Sequence, residues 1–182
     1  MLFRSVFIGF ATLTPEGLTG AGLQMFSHGI MTALFFAVVG MVYDRAHTRN
    51  LGELGGLAKH MPLAMIGFVV GGLVSMGMPG FSGFVAEIPI YLGAWKTMPL
   101  VAIISAISIV VTAAYILLVV RRVFFGETPE AIRAGMSDIS VMDKIVVVGL
   151  SLLMILIGLI PSLLVPMIQG GVSHILSLVG GA

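Results

Sequence analysis

The chain contains no cysteine. Disulfides, thiolate metal sites and iron–sulfur ligation are therefore outside its chemistry. Charge is scarce as well. Only 9% of the 182 residues are Asp, Glu, Lys or Arg, against ~25% in a soluble domain, so the chain cannot cover a water-facing surface. Nine basic and eight acidic residues leave a formal net charge of +1, with no basic patch of the kind nucleic-acid binding needs. No phosphate-binding glycine loop, dinucleotide fingerprint, nucleophile elbow or paired-histidine zinc motif is present. The four histidines, His28, His47, His60 and His174, are scattered, and no motif points to a redox cofactor.

What remains is apolar sequence. Hydrophobic residues make up 58% of the chain, and its mean hydropathy is +1.15. The bilayer is the natural solvent for such a composition. A spanning helix needs ~20 predominantly apolar residues, so the length allows roughly four to six spans. The 24 glycines and 13 methionines suit close helix packing and adaptable apolar fill.

The pattern along the chain predicts an all-α, polytopic transmembrane helix bundle forming a single membrane domain over 1–182. A short apolar run after Arg4 ends at Thr14-Pro15 and is too short to span. It reads as part of a helix whose first half is missing, or else as an interfacial anchor. Spans are expected at about 18–43, 62–97, 100–121 and 145–166, with a mildly amphipathic tail at 167–182 on the membrane surface. The second of these is interrupted by Met78-Pro79-Gly80-Phe81-Ser82-Gly83. Proline removes a backbone donor and glycine weakens the helix, so a break is expected there. With a single broken crossing, loops 44–60 and 121–144 share a side. That side holds Arg45, Arg49, Lys59, Arg121, Arg122, Arg133 and Lys144, against Lys96 on the other. Two crossings would split the cations evenly, so the positive-inside rule favours one broken crossing with both loops cytoplasmic.

Glu87 is the leading candidate for chemistry. It follows the expected break by one helical turn, deep in an apolar segment. A carboxylate at the bilayer centre costs on the order of 3 kcal/mol or more, so it faces a cavity or a partner. Burial favours its protonated form and a nearby cation its ionised form, so alternating surroundings would load and release a proton. Broken helices are also where transporters place ion sites. A static ion pair is the competing assignment. His28 lies near the middle of the first span and could relay a proton, or be a neutral histidine satisfying a neighbouring helix. Ser27, Ser75 and Ser82 could hold water in a path, or simply satisfy their own helices. Lys96 reads as a snorkelling lysine, Arg121-Arg122 as an orientation anchor, and Asp44, Arg45, His47 and Arg49 as a loop cluster beside a span.

Two stretches resemble the antiporter-like subunits of respiratory complex I, the NADH:quinone oxidoreductase. One is Phe26-Ser27-His28-Gly29 with its span, then Tyr43-Asp44-Arg45-Ala46-His47-Thr48-Arg49 and Leu54-Gly55-Gly56-Leu57. The other is Gly77-Met78-Pro79-Gly80-Phe81-Ser82-Gly83-Phe84-Val85-Ala86-Glu87. The resemblance continues through Arg121-Arg122-Val123-Phe124-Phe125-Gly126. Glutamate rather than lysine at position 87 resembles the M-type paralogue, and Ala86 departs from the glycine more usual there. The resemblance implies the family fold with its second inverted repeat incomplete, and proton translocation coupled to quinone reduction elsewhere. It implies Glu87 as the terminal proton-exchange residue, His28 as the relay, and no redox cofactor in this chain. Other membrane subunits of the complex are the implied partners, in the cell inner membrane. Multisubunit cation/proton antiporters and membrane-bound hydrogenases share the scaffold and are the nearest alternatives.

Overall fold

A computed structural model describes residues 2–180, with the side chains of residues 2 and 3 left aside. It contains α1 (Leu2–Ala11), α2 (Pro15–Ala46), α3 (Pro62–Ser75), α4 (Ser82–Thr97), α5 (Pro99–Phe124), the single-turn α6 (Glu130–Arg133), α7 (Val141–Leu159) and α8 (Val165–Val179), with short 3-10 turns at Leu57–Lys59 and Pro161–Leu163. There is no strand among the described residues. Helices α2, α5 and α7 are each long and apolar enough to cross a membrane.

The helix ends follow from local chemistry. Thr14 caps α2 by accepting a hydrogen bond from the Gly17 amide at 3.1 Å, and Pro15 occupies the first turn, where its missing donor costs nothing. His47, in the left-handed region at φ 51°, closes the same helix 32 residues on. Ser140 and Asp143 form a reciprocal capping box at the start of α7, with bonds of 3.2 and 3.0 Å. That box starts the last span at residue 141, four residues before the sequence pattern suggested. The span also ends earlier, at Leu159 rather than Pro166. Pro161 supplies no amide, and it pushes Ile160 out of helical geometry to φ −127°, ψ 67°.

The break at 76–81 is built rather than merely permitted. Gly77 sits at φ +65°, and the Met78 and Gly77 amides return to the carbonyls of Leu73 and Val74 at 3.0 and 3.1 Å. This is a Schellman ending, which satisfies carbonyls that hydrocarbon would leave bare. Helix α3 has 14 residues and α4 has 16, so each rises only ~21–24 Å at ~1.5 Å per residue. Neither alone spans a ~30 Å core.

End-to-end contacts show how the two halves combine. Gly67 in α3 packs near Leu34 and Val38 of α2, and Gly93 in α4 packs on Gly17 and Thr14. The pair therefore runs antiparallel to α2, one half after the other. Helix α5 then returns, and its C-terminal loop meets the loop after α2, where the Gly56 amide donates to the Phe125 carbonyl at 3.1 Å. Arg45 binds the Asp138 carbonyl and the Asp143 carboxylate at that same end. Both charged loops thus lie at one end of the bundle.

The two halves of the bundle are packed differently. Toward the loop end, Met31, Leu34, Val38, Leu57, Met61, Phe124, Val147 and Met154 form the apolar core. Toward the other end, glycines bring backbones together. A Cβ on Gly20 would lie 2.8 Å from the Ala86 carbonyl oxygen, and one on Gly9 would lie 2.7 Å from that of Gly17. Close backbone approach of this kind holds helices together where lipid offers no hydrophobic drive. The outer face of α5, including Ile104, Ile107, Val110 and Leu118, is left exposed, as suits lipid or neighbouring helices.

Candidate functional site around the helix break

Glu87 is 2% exposed. Side chains on a helix tilt toward its N-terminus, and for α4 the N-terminus is the break. Accordingly the Glu87 carboxylate reaches back, and its Oε2 lies 2.6 Å from where a Gly77 Cβ would stand. The glycine that permits the left-handed turn also leaves the room that the carboxylate occupies. Glu87 Oε1 is buried with no hydrogen-bond partner among the described residues.

Ser27 and Ser82 meet through their hydroxyls at 2.8 Å, both buried. They join α2 to the first residue of α4 at the level of the break. His28, the next residue on α2, faces a different space. With Ser75, Tyr115, Phe35 and Phe68 it lines a cavity of about 370 Å³ between α2, α3 and α5. The structure therefore gathers Glu87, Ser27, Ser82, Ser75 and His28 around the interruption, from α2 and from the two helices that flank the break.

The other sequence candidates lie at the ends. Lys96 pairs with Glu16 at 2.5 Å. Arg49 stacks over the Tyr43 ring at 4.6 Å. Arg45 ties the loops as described, and Lys144 beside Asp138 holds that carboxyl below the usual aspartate range. Arg121 and Arg122 line a surface pocket with Phe125 and Gly126. Among the described residues no group of three or more His, Asp or Glu side chains is placed to hold a metal ion.

Two polar residues, one buried and one exposed, escaped the sequence reading. Gln24 is fully buried with both amide atoms unpartnered. Arg4 on α1 donates from Nη2 to the Ser108 hydroxyl of α5. Gln24 was visible as a polar residue in an apolar run, and Arg4 as the charge that precedes one.

Residues 5–116 match the model of the family described as NADH:quinone oxidoreductase/Mrp antiporter, transmembrane. The chain belongs to that family. The matched region of this antiporter-family chain includes His28, the break and Glu87. It is 35% identical over 170 residues to NADH-quinone oxidoreductase subunit M of Rhodobacter capsulatus, covering 93% of this chain and 33% of that protein. Respiratory complex I from Thermus thermophilus contains a chain that superimposes with a TM-score of 0.82 at 28% identity, covering 93% of this chain and 36% of that one. The Mrp complex from Dietzia sp. shares the fold, with a TM-score of 0.83 at 22% identity over 93% of this chain and 40% of that one. The antiporter-family chain spans about a third of the length of the curated relatives it matches.

Proposed function

We propose that this chain forms part of a proton-translocating, subunit M-type component of the membrane arm of an NADH:quinone oxidoreductase. Glu87 is the proton-exchange residue and His28 a relay toward it. Quinone reduction elsewhere in the assembly drives the exchange, and no electron passes through this chain. Neighbouring antiporter-like subunits in the inner membrane are its partners, and the loops at 44–60 and 121–144 face the cytoplasm.

One observation carries the reading, namely a buried carboxyl turned into a helix break. A carboxylate held away from water is costly in its charged form, so modest changes nearby alter its proton affinity strongly. The break supplies those changes, because a non-helical segment can rearrange while the flanking helices stay intact. Replacing Glu87 with Gln in the assembled complex removes the titrating group at almost constant volume. Loss of most pumping-coupled turnover, with assembly intact, is expected. Near-normal turnover and proton yield would overturn the assignment.

A second reading keeps the same site and changes the assembly. The likeness to the Mrp complex fits a cation/proton antiporter subunit, and a membrane-bound hydrogenase component is a further variant of it. Copurification distinguishes them, since a respiratory subunit brings quinone-site subunits with it.

A further inference from the structure

Gln24 has no part in the mechanism above, yet its side chain is fully enclosed with its hydrogen bonds unmade among the described residues. It is 0% exposed, and neither its Oε1 nor its Nε2 has a partner among the described residues. Its position is fixed by the contacts on either side. Three residues later on α2, Ser27 bonds Ser82. Four residues earlier, Gly20 packs on the backbone of Ala86 and Ile90. Residues three and four apart share a helix face, and α2 and α4 run antiparallel. Gln24 therefore lies at the level of the stretch of α4 that runs from Ser82 to Ala86 and ends one residue short of Glu87. The Glu87 carboxyl reaches back toward the break, into the same slab, and its Oε1 also lacks a partner.

We infer that Gln24 is a positioning residue that holds one water between its amide and Glu87 Oε1. The inference rests on Glu87 as the proton-exchange group, and extends it to how that proton enters and leaves. A primary amide offers two donors and an acceptor but does not itself titrate in this range. A water offers both roles, and buried waters typically bridge polar groups that protein cannot satisfy. When Glu87 is ionised, the water donates to it and accepts from the Gln24 Nε2–H. When Glu87 is protonated, the carboxyl donates to the water, which turns a hydrogen toward Gln24 Oε1. The amide keeps both its hydrogens throughout, and a small turn of the water or the amide serves both protonation states. A leucine of similar volume would break the bridge without leaving a large void.

The test is a cryo-electron microscopy map of the assembled membrane complex, fine enough to show ordered water, together with coupled turnover. A solvent peak within hydrogen-bond distance of both the Gln24 amide and Glu87 is expected in the natural protein. It should vanish in Gln24→Leu and in the more flexible Gln24→Met, whichever assembles better. Coupled turnover should fall roughly tenfold in those variants, the size of one lost hydrogen bond to a charged group, and recover in part in Gln24→Asn. A map in which the two side chains touch directly, or are separated by protein atoms, would overturn the inference. So would unchanged turnover in both apolar variants. If Glu87→Gln itself leaves turnover unaltered, the proton-exchange reading fails instead, and the solvent peak still reports on Gln24 separately.

Discussion

A single serine pair does much to position the site, and its worth can be measured. The Ser27 and Ser82 hydroxyls are buried at 2.8 Å from one another, where neither has water to fall back on. Interhelical hydrogen bonds in membranes are nonetheless modest, ~0.6 kcal/mol on average and up to ~2. The unfolded helices also find partners of their own. A double-mutant cycle of Ser27→Ala and Ser82→Ala on thermal unfolding of the solubilised assembly should return a coupling of about 0.5–2 kcal/mol. A coupling indistinguishable from zero would mean that the pair does not lock α2 to α4. At this scale the burial of Glu87 beside the break was legible in the sequence, because a carboxylate in an apolar run is conspicuous. The sequence was a poor guide to Gln24 and Arg4. A neutral amide costs less to bury than a charge and so draws less notice. Arg4 bonds Ser108 of α5, far along the chain, through a tertiary contact that no local pattern carries.

Two interruptions touch at the scale of helices. The α3–α4 break was legible, since Pro79, Gly80 and Gly83 crowd into six residues. The second, between α7 and α8, was read as the end of a span followed by a surface tail. The contacts it makes depend on tertiary structure, which no local pattern carries. Helix α8 packs beside the first half of α2, where Ile168 lies against Gly22. The last turn of α7 lies against the first break, so that a Cβ on Gly158 would stand 2.4 Å from the Gly80 carbonyl oxygen and 2.5 Å from Phe81 Cα. Backbone cannot yield as a flexible side chain can. Gly158→Ala should therefore push the two breaks apart, destabilising the bundle by ~1–3 kcal/mol as overpacking does. Coupled turnover should drop with it. A control at Gly149, whose Cβ would meet nothing within 4 Å, should be silent in both assays. Equal effects at the two positions would show that the contact between breaks does not matter.

Over the whole molecule, whether α3 and α4 make one crossing or two decides which loops share a side of the membrane. Had α3 and α4 each crossed, the seven cations of loops 44–60 and 121–144 would be divided between the two faces. The contacts of Gly56 with Phe125 and of Arg45 with Asp138 and Asp143 instead bring both loops to one end. Lys96 and Glu16 pair at the opposite end. The absence of cysteine makes the arrangement easy to test, because any thiol introduced into this chain is unique within it. Asn50→Cys and Glu127→Cys, both at exposed loop positions, should react with a membrane-impermeant maleimide from the same side. Thr97→Cys, at the end of α4, should react only from the other. In sealed vesicles of known orientation the first two should label from the cytoplasmic face, where the positive-inside rule puts seven of the nine basic residues. Labelling of Asn50→Cys and Glu127→Cys from opposite faces would require α3 and α4 to cross separately. Glu87 would then be near a water interface, where a carboxylate carries no desolvation cost, and the physical case for a proton-exchange site at the break would be lost with the topology.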